Sequence, residues 1–225
     1  MRRVLSHVMR KDAPGWPGNP TVEIRPVSVI DRRGASCNSS VVEVFNHFGT
    51  HFDAPRHYNP DGPAISQLPF DRFFYERPLL LDIPKDATEP ITAAELMPYE
   101  NQLRQCDLLM LRTGFEQYRT SDPQRYSAKG PWLGSDAAKY LMENHFYENI
   151  KTVAGDFVSF ATPDFLPDGH ETHNYLLGNH GDGYICIIED LSMRYLPSGF
   201  LKSAVSMPYF IEGIDSAPVT VWVEY

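Results

Sequence analysis

Residues 46–58 read Asn46-His47-Phe48-Gly49-Thr50-His51-Phe52-Asp53-Ala54-Pro55-Arg56-His57-Tyr58. Four groups able to bind a metal ion or move a proton, His47, His51, Asp53 and His57, fall in this one stretch. Imidazole nitrogens and carboxylate oxygens are ligands that zinc, manganese or iron(II) accept. On a helix His47 and His51 would share a face, but Asp53 would point roughly 160° away from His51, at about 100° per residue. On an extended chain all four odd-numbered positions point the same way. Gly49 and Pro55 also disfavour a regular helix. The stretch is therefore expected to be an extended or looped strip of ligands, entered from the strand-like residues 40–45. Three histidines in phase with an aspartate fit a metal-binding pattern better than scattered surface positions.

The segment His47-Phe48-Gly49-Thr50-His51-Phe52-Asp53-Ala54-Pro55-Arg56-His57 resembles the H-x-G-T-H-x-D-x-P-x-H signature of the metal-dependent cyclase/hydrolase family. That family includes bacterial kynurenine formamidases and isatin hydrolases, and every fixed position of the signature is present. The resemblance implies an α/β fold of the swivelling β/β/α type, a single domain over 1–225 with a central mixed sheet and flanking helices. It implies a homodimer or homotetramer. It also implies a divalent metal, zinc or manganese, as one or two ions, with His47, His51 and Asp53 as ligands.

A second cluster lies at Asp168-Gly169-His170-Glu171-Thr172-His173-Asn174-Tyr175-Leu176-Leu177. A histidine three residues before a Leu-Leu pair resembles the family's later metal-site histidine, and His173 fits where His170 does not. The family then runs into a strand ending in a glutamate, which here is Glu189. By resemblance Asp53 would bridge to a second ion completed by His173 and Glu189. The gap between those two is longer than in the formamidases, with extra residues around 178–183, which tells against a dinuclear centre and leaves His180 as an outside candidate. His57 is by chemistry a proton carrier, a fourth ligand or a partner of one; the resemblance favours the first.

The remaining chain supplies a frame. A length of 225 residues suits one domain with a sizeable core. The formal charge of -9, with no basic run, argues against a nucleic-acid surface. No stretch reaches membrane-span length, and no apolar run follows Met1-Arg2-Arg3 as in a signal peptide. Cys37, Cys106 and Cys186 are odd in number and lack C-x-x-C spacing, so reduced cysteines and a cytoplasmic location are expected.

In chain order, the Pro-Gly-rich residues 11–20 cannot be regular structure. Trp16, in their middle, is either a hydrophobic plug or a wall of an apolar substrate pocket; similar segments in the family favour the wall. Strands are expected at 21–30, 40–46, 78–83, 107–112, 152–154, 184–189, 204–211 and 219–225. Helices are expected from the Thr92-to-Glu95 capping box and over about 136–146. The polar residues 118–132 read as a loop or lid. Strands alternating with helices imply a mixed α/β sheet.

No nucleophile elbow, P-loop or dinucleotide fingerprint is present. The expected function is hydrolysis of an amide, formamide or lactam C–N bond of a small molecule by a metal-activated water. N-formylkynurenine-like and isatin-like compounds are the candidate substrates. A cyclase or dehydratase acting on a small carbonyl compound, and a non-catalytic metal-binding protein, are the alternatives.

Overall fold

The computed structural model describes residues 1–30 and 35–225. Its centre is a mixed ten-stranded sheet. Four parallel strands, Pro78–Asp82, Leu108–Arg112, Thr152–Gly155 and Cys186–Glu189, lie side by side within it. They read as continuous apolar runs because both their faces are covered. Leu79, Leu109, Val153 and Ile187 pack against helix residues such as Leu96, Leu141 and Leu176. Their neighbours Leu80, Met110, Ala154 and Ile188 face the opposite way, onto Tyr75, Val221 and Val223. One register thus serves two cores, with helices on one side and the antiparallel part of the sheet on the other.

The expected strands from 78 onward are present, at or near the expected positions, and the Thr92 backbone N–H donates to Glu95 as the capping box requires. Residues 118–128 correct the expectation of a loop. They form the helices Tyr118–Ser121 and Pro123–Ala128. Asp122 caps the second by accepting from Arg125 N at 3.1 Å, with Pro123 in the first turn, where its missing N–H costs nothing. The strands Glu23–Ser28 and Ser39–Glu43 do form, but they pair only with each other, in an exposed ribbon apart from the main sheet.

Strand His51–Asp53 is short and internal. On one side it pairs antiparallel with Cys186–Glu189, placing His51 opposite Glu189. On the other it pairs with the start of Ser216–Glu224, placing Asp53 opposite Ser216. Chain segments more than 130 residues apart in sequence are brought to one point by these two ladders. Among the described residues no helix is long and apolar enough to cross a membrane.

Candidate metal centre

The ligand strip converges by bending, which corrects the expectation of simple alternation. Only His51 and Asp53 share a strand face; Phe52 between them is fully buried in the core. His47 stands on the preceding turn, where Gly49 takes φ +68°. That turn is pinned by Thr50 Oγ1, which donates to Asp190 O at 2.6 Å. After the strand, the 3-10 turn Pro55–His57 swings His57 back. The His47 and His57 ring centroids end 4.1 Å apart, and those of His47 and His51 5.2 Å apart.

The second cluster arrives on helix Leu166–Leu176. Gly169 lets this helix lie against the 161 backbone: a Cβ there would meet the Ala161 Cβ at 2.3 Å. His173, one turn on, reaches Glu189 with Nε2 3.5 Å from Oε1. The extra residues at 178–183 lie outside this contact, so the long gap does not separate His173 from Glu189. His180 pairs with Glu171 on the surface and is not part of the cluster.

The two nitrogens of each histidine are used differently. His51 Nδ1 and His173 Nδ1 each donate to a backbone carbonyl at 2.7 Å, Gly49 O and Gly169 O. His47 Nε2 donates to Asp215 Oδ2 at 3.0 Å. Carbonyls and carboxylates only accept, so these outer nitrogens carry the hydrogens and the inner ones offer lone pairs. Inward, His47 Nδ1 is 3.1 Å and His51 Nε2 3.6 Å from Asp53 Oδ1. His51 Nε2 is also 3.2 Å from Glu189 Oε2. Despite these approaches, His51 Nε2 and both Asp53 oxygens are buried without a hydrogen bond. Metal–ligand bonds of about 2.0–2.1 Å place neighbouring ligand atoms about 3.0–3.4 Å apart. Two of these edges, 3.1 and 3.2 Å, fall in that range and the third, 3.6 Å, lies just above it, so the donor set fits a divalent cation. His47, His51 and Asp53 form one group within reach of an ion; Asp53, His57 and His173 form another.

The electrostatics show the same incompleteness. Burial pulls His47 down, but Asp53 and Asp215 overcome it and raise it to about 10. Burial likewise opposes protonation of His51 and His173, and the carboxylates again raise both. Burial pushes Glu189 up, yet His173 and His51 bring it to about 2. The buried carboxylates thus favour positive charge at this centre. A bound divalent cation would supply that charge.

Beside the cluster opens a cavity of about 300 Å³ lined by Trp16, Phe45, Tyr58, Val158 and Leu166, and by His57 and His173 of the cluster. All seven residues expected at a site (Trp16, His47, His51, Asp53, His57, His173 and Glu189) are therefore in one neighbourhood. Two partners were not foreseen. Ser159 Oγ donates to Glu189 Oε1 at 2.9 Å. Asp215 accepts from His47 and, at 2.9 Å, from His57 Nδ1. Its only sequence signal is its place immediately before the last strand.

Residues 4–162 match the family described as "Putative cyclase". An uncharacterized protein of Haemophilus influenzae is 42% identical over 116 residues, which are 52% of this chain and 80% of that protein. A kynurenine formamidase of Bacillus cytotoxicus is 25% identical over 216 residues, 96% of this chain and 93% of its own. Isatin hydrolase A from Labrenzia aggregata, solved with benzyl benzoate, has the same fold. Its TM-score is 0.82 at 19% identity, over 99% of this chain and 93% of that one.

Proposed function

This chain belongs to the cyclase family, and from that premise we propose that it is a metal-dependent hydrolase cleaving an amide, formamide or lactam C–N bond of a small molecule. The observation that carries the reading is the set of buried, unpartnered donor atoms on His51 and Asp53, grouped with His47 within reach of one ion. His47, His51 and Asp53 would hold one ion. Asp53, His173 and Glu189 would hold a second. Zinc or manganese suits this mixed nitrogen and oxygen set. A divalent cation supplies Lewis acidity there, acidifying water and polarising a carbonyl oxygen.

The chain's own residues do the rest. His57 Nδ1 is bound to Asp215, so Nε2 is the nitrogen free to work. It takes a proton from the attacking water as the new C–O bond forms. It returns that proton to the nitrogen as the C–N bond breaks. Trp16, with Phe45, Tyr58 and Leu166, walls the cavity and accepts the apolar body of the substrate. The relatives' names, a kynurenine formamidase and isatin hydrolases, make N-formylkynurenine-like and isatin-like compounds the first substrates to try. The swivelling β/β/α arrangement, a homodimer or homotetramer, a single domain and a cytoplasmic location belong to the same proposal.

The test is elemental analysis of the purified protein, followed by a panel of aryl formamides, anilides and lactams in ¹⁸O-labelled water. Bound zinc or manganese, with one labelled oxygen in the carboxylate product, is the expected result. A metal-replete protein that turns over none of the panel, or that loses water from a substrate without incorporating label, overturns the reading.

A further inference from the structure

The carboxylate of Asp215 receives two hydrogen bonds on one oxygen. His57 Nδ1 is 2.9 Å and His47 Nε2 3.0 Å from Oδ2. The other oxygen, Oδ1, accepts from Asn46 Nδ2 at 2.9 Å. The backbone holds this arrangement in place: Ala54 N donates to Asp215 O at 2.9 Å, and the next residue, Ser216, is in register with Asp53. Asp215 is thus anchored to the strand that carries the cluster.

A third ligand of a metal is the competing reading, because His47, His57 and Asp215 also lie within reach of one another. The contacts speak against it. Both are well-formed hydrogen bonds, and both histidine nitrogens need their hydrogens to make them. A nitrogen that carries a hydrogen has no lone pair for an ion.

We infer that Asp215 is a positioning residue that fixes the tautomers of two histidines at once. It holds His57, a residue of the cavity lining, with the hydrogen on Nδ1, leaving Nε2 as the proton acceptor. It holds His47 with the hydrogen on Nε2, turning the Nδ1 lone pair toward Asp53. A single acceptor oxygen therefore sets both the ligand and the base. Neutral imidazole in water prefers the opposite tautomer, with hydrogen on Nε2, so the outcome at His57 depends on this acceptor. The inference rests on the metal-dependent hydrolase reading, but its central claim concerns hydrogen positions that can be read without turnover.

Asp215→Asn keeps the shape and reverses the hydrogen bonding. Asn46 already donates toward Oδ1, so the new amide places its oxygen there and turns its NH₂ toward the histidines. They then meet a donor where they need an acceptor. Adding Asn46→Asp reverses the amide again, because the carboxylate introduced by that second change accepts from the NH₂ and returns the amide oxygen to the histidines. The readout is the ¹⁵N spectrum of the imidazoles in protein labelled with ¹⁵N-histidine and loaded with zinc. Wild type should show His57 as the Nδ1–H tautomer, Asp215→Asn should show Nε2–H, and the double variant should restore Nδ1–H. In parallel, kcat at saturating metal should fall about 10²–10⁴-fold in the single variant, with KM within threefold, and recover at least tenfold in the double. His57 remaining Nδ1–H in the single variant, or kcat unchanged by it, overturns the inference. So does a fall in kcat that the double variant leaves unrelieved. If wild type hydrolyses nothing, the functional reading fails by itself, while the tautomer series still decides the role of Asp215.

Discussion

Asp53 and Asp190 are both 1% exposed, one ending strand His51–Asp53 and the other directly following its paired neighbour Cys186–Glu189, yet Asp190 has a full set of hydrogen-bond partners and Asp53 does not. Asp190 accepts from Arg119 Nε and Nη2, both at 2.8 Å, and from Tyr126 Oη at 2.6 Å. Its backbone carbonyl accepts from Thr50, and its left-handed φ of 57° is held in place by these contacts. Among the described residues neither oxygen of Asp53 has a hydrogen bond, and imidazole nitrogens face it. A buried carboxylate needs partners. Asp190 finds them in its own chain; Asp53 has imidazoles around it, the surroundings that the proposed cation would suit.

The largest expected effect lies on the incomplete side. Asp53→Asn should abolish stoichiometric metal binding and cut hydrolysis at least about 10⁴-fold, more than 5 kcal/mol at about 1.4 kcal/mol per tenfold. Added metal should raise the Tm of wild type, since a ligand at a thousand times its Kd stabilises by about 4 kcal/mol. That rise should vanish in the variant. If Asp53→Asn still takes up a full complement of zinc by elemental analysis, the contrast with Asp190 is broken.

His57→Gln comes next, with hydrolysis about 10²–10⁴-fold slower and metal content unchanged. Loss of the metal along with activity would instead make His57 a ligand. On the complete side, Arg119→Ala should cost about 3–5 kcal/mol of stability in urea unfolding, because it leaves a buried carboxylate without its countercharge. The metal-induced rise in Tm should persist in this variant. A variant that keeps its baseline stability but loses the metal response would place Asp190 with the site after all.

The two sides differed in how far they could be read from sequence. His47, His51, Asp53 and His57 announce themselves because their chemistry and spacing sit in one short stretch. The parallel strands were legible as apolar runs, for the same reason that both their faces are buried. Asp215 was not legible. Its role comes from the pairing of Ser216 with Asp53, a contact between distant segments that no local pattern encodes. Arg119 and Tyr126 were hidden in a polar stretch whose composition suggests a loop, although Asp122 and Pro123 form a helix start. The ribbon shows the reverse: its β-branched residues predict strands correctly, but Ile24 and Val42 are each 59% exposed, and burial does not follow from propensity.

The smallest effect concerns Trp16, whose two sequence readings the comparison can separate. Trp16 is partly exposed and lines the cavity together with His47 and His57. If it serves the incomplete side, Trp16→Ala removes an aromatic surface that the substrate touches, worth about 1 kcal/mol beyond plain burial. KM should rise about five- to tenfold, with kcat within threefold and Tm within about 2 °C of wild type. A plug behaves the other way, because truncating a well-packed tryptophan costs about 3–5 kcal/mol of stability. A Tm many degrees lower with KM unchanged would therefore move Trp16 from the site to the structure. Its place in the cavity lining, outside the buried clusters on either side of the sheet, makes the first result the expected one.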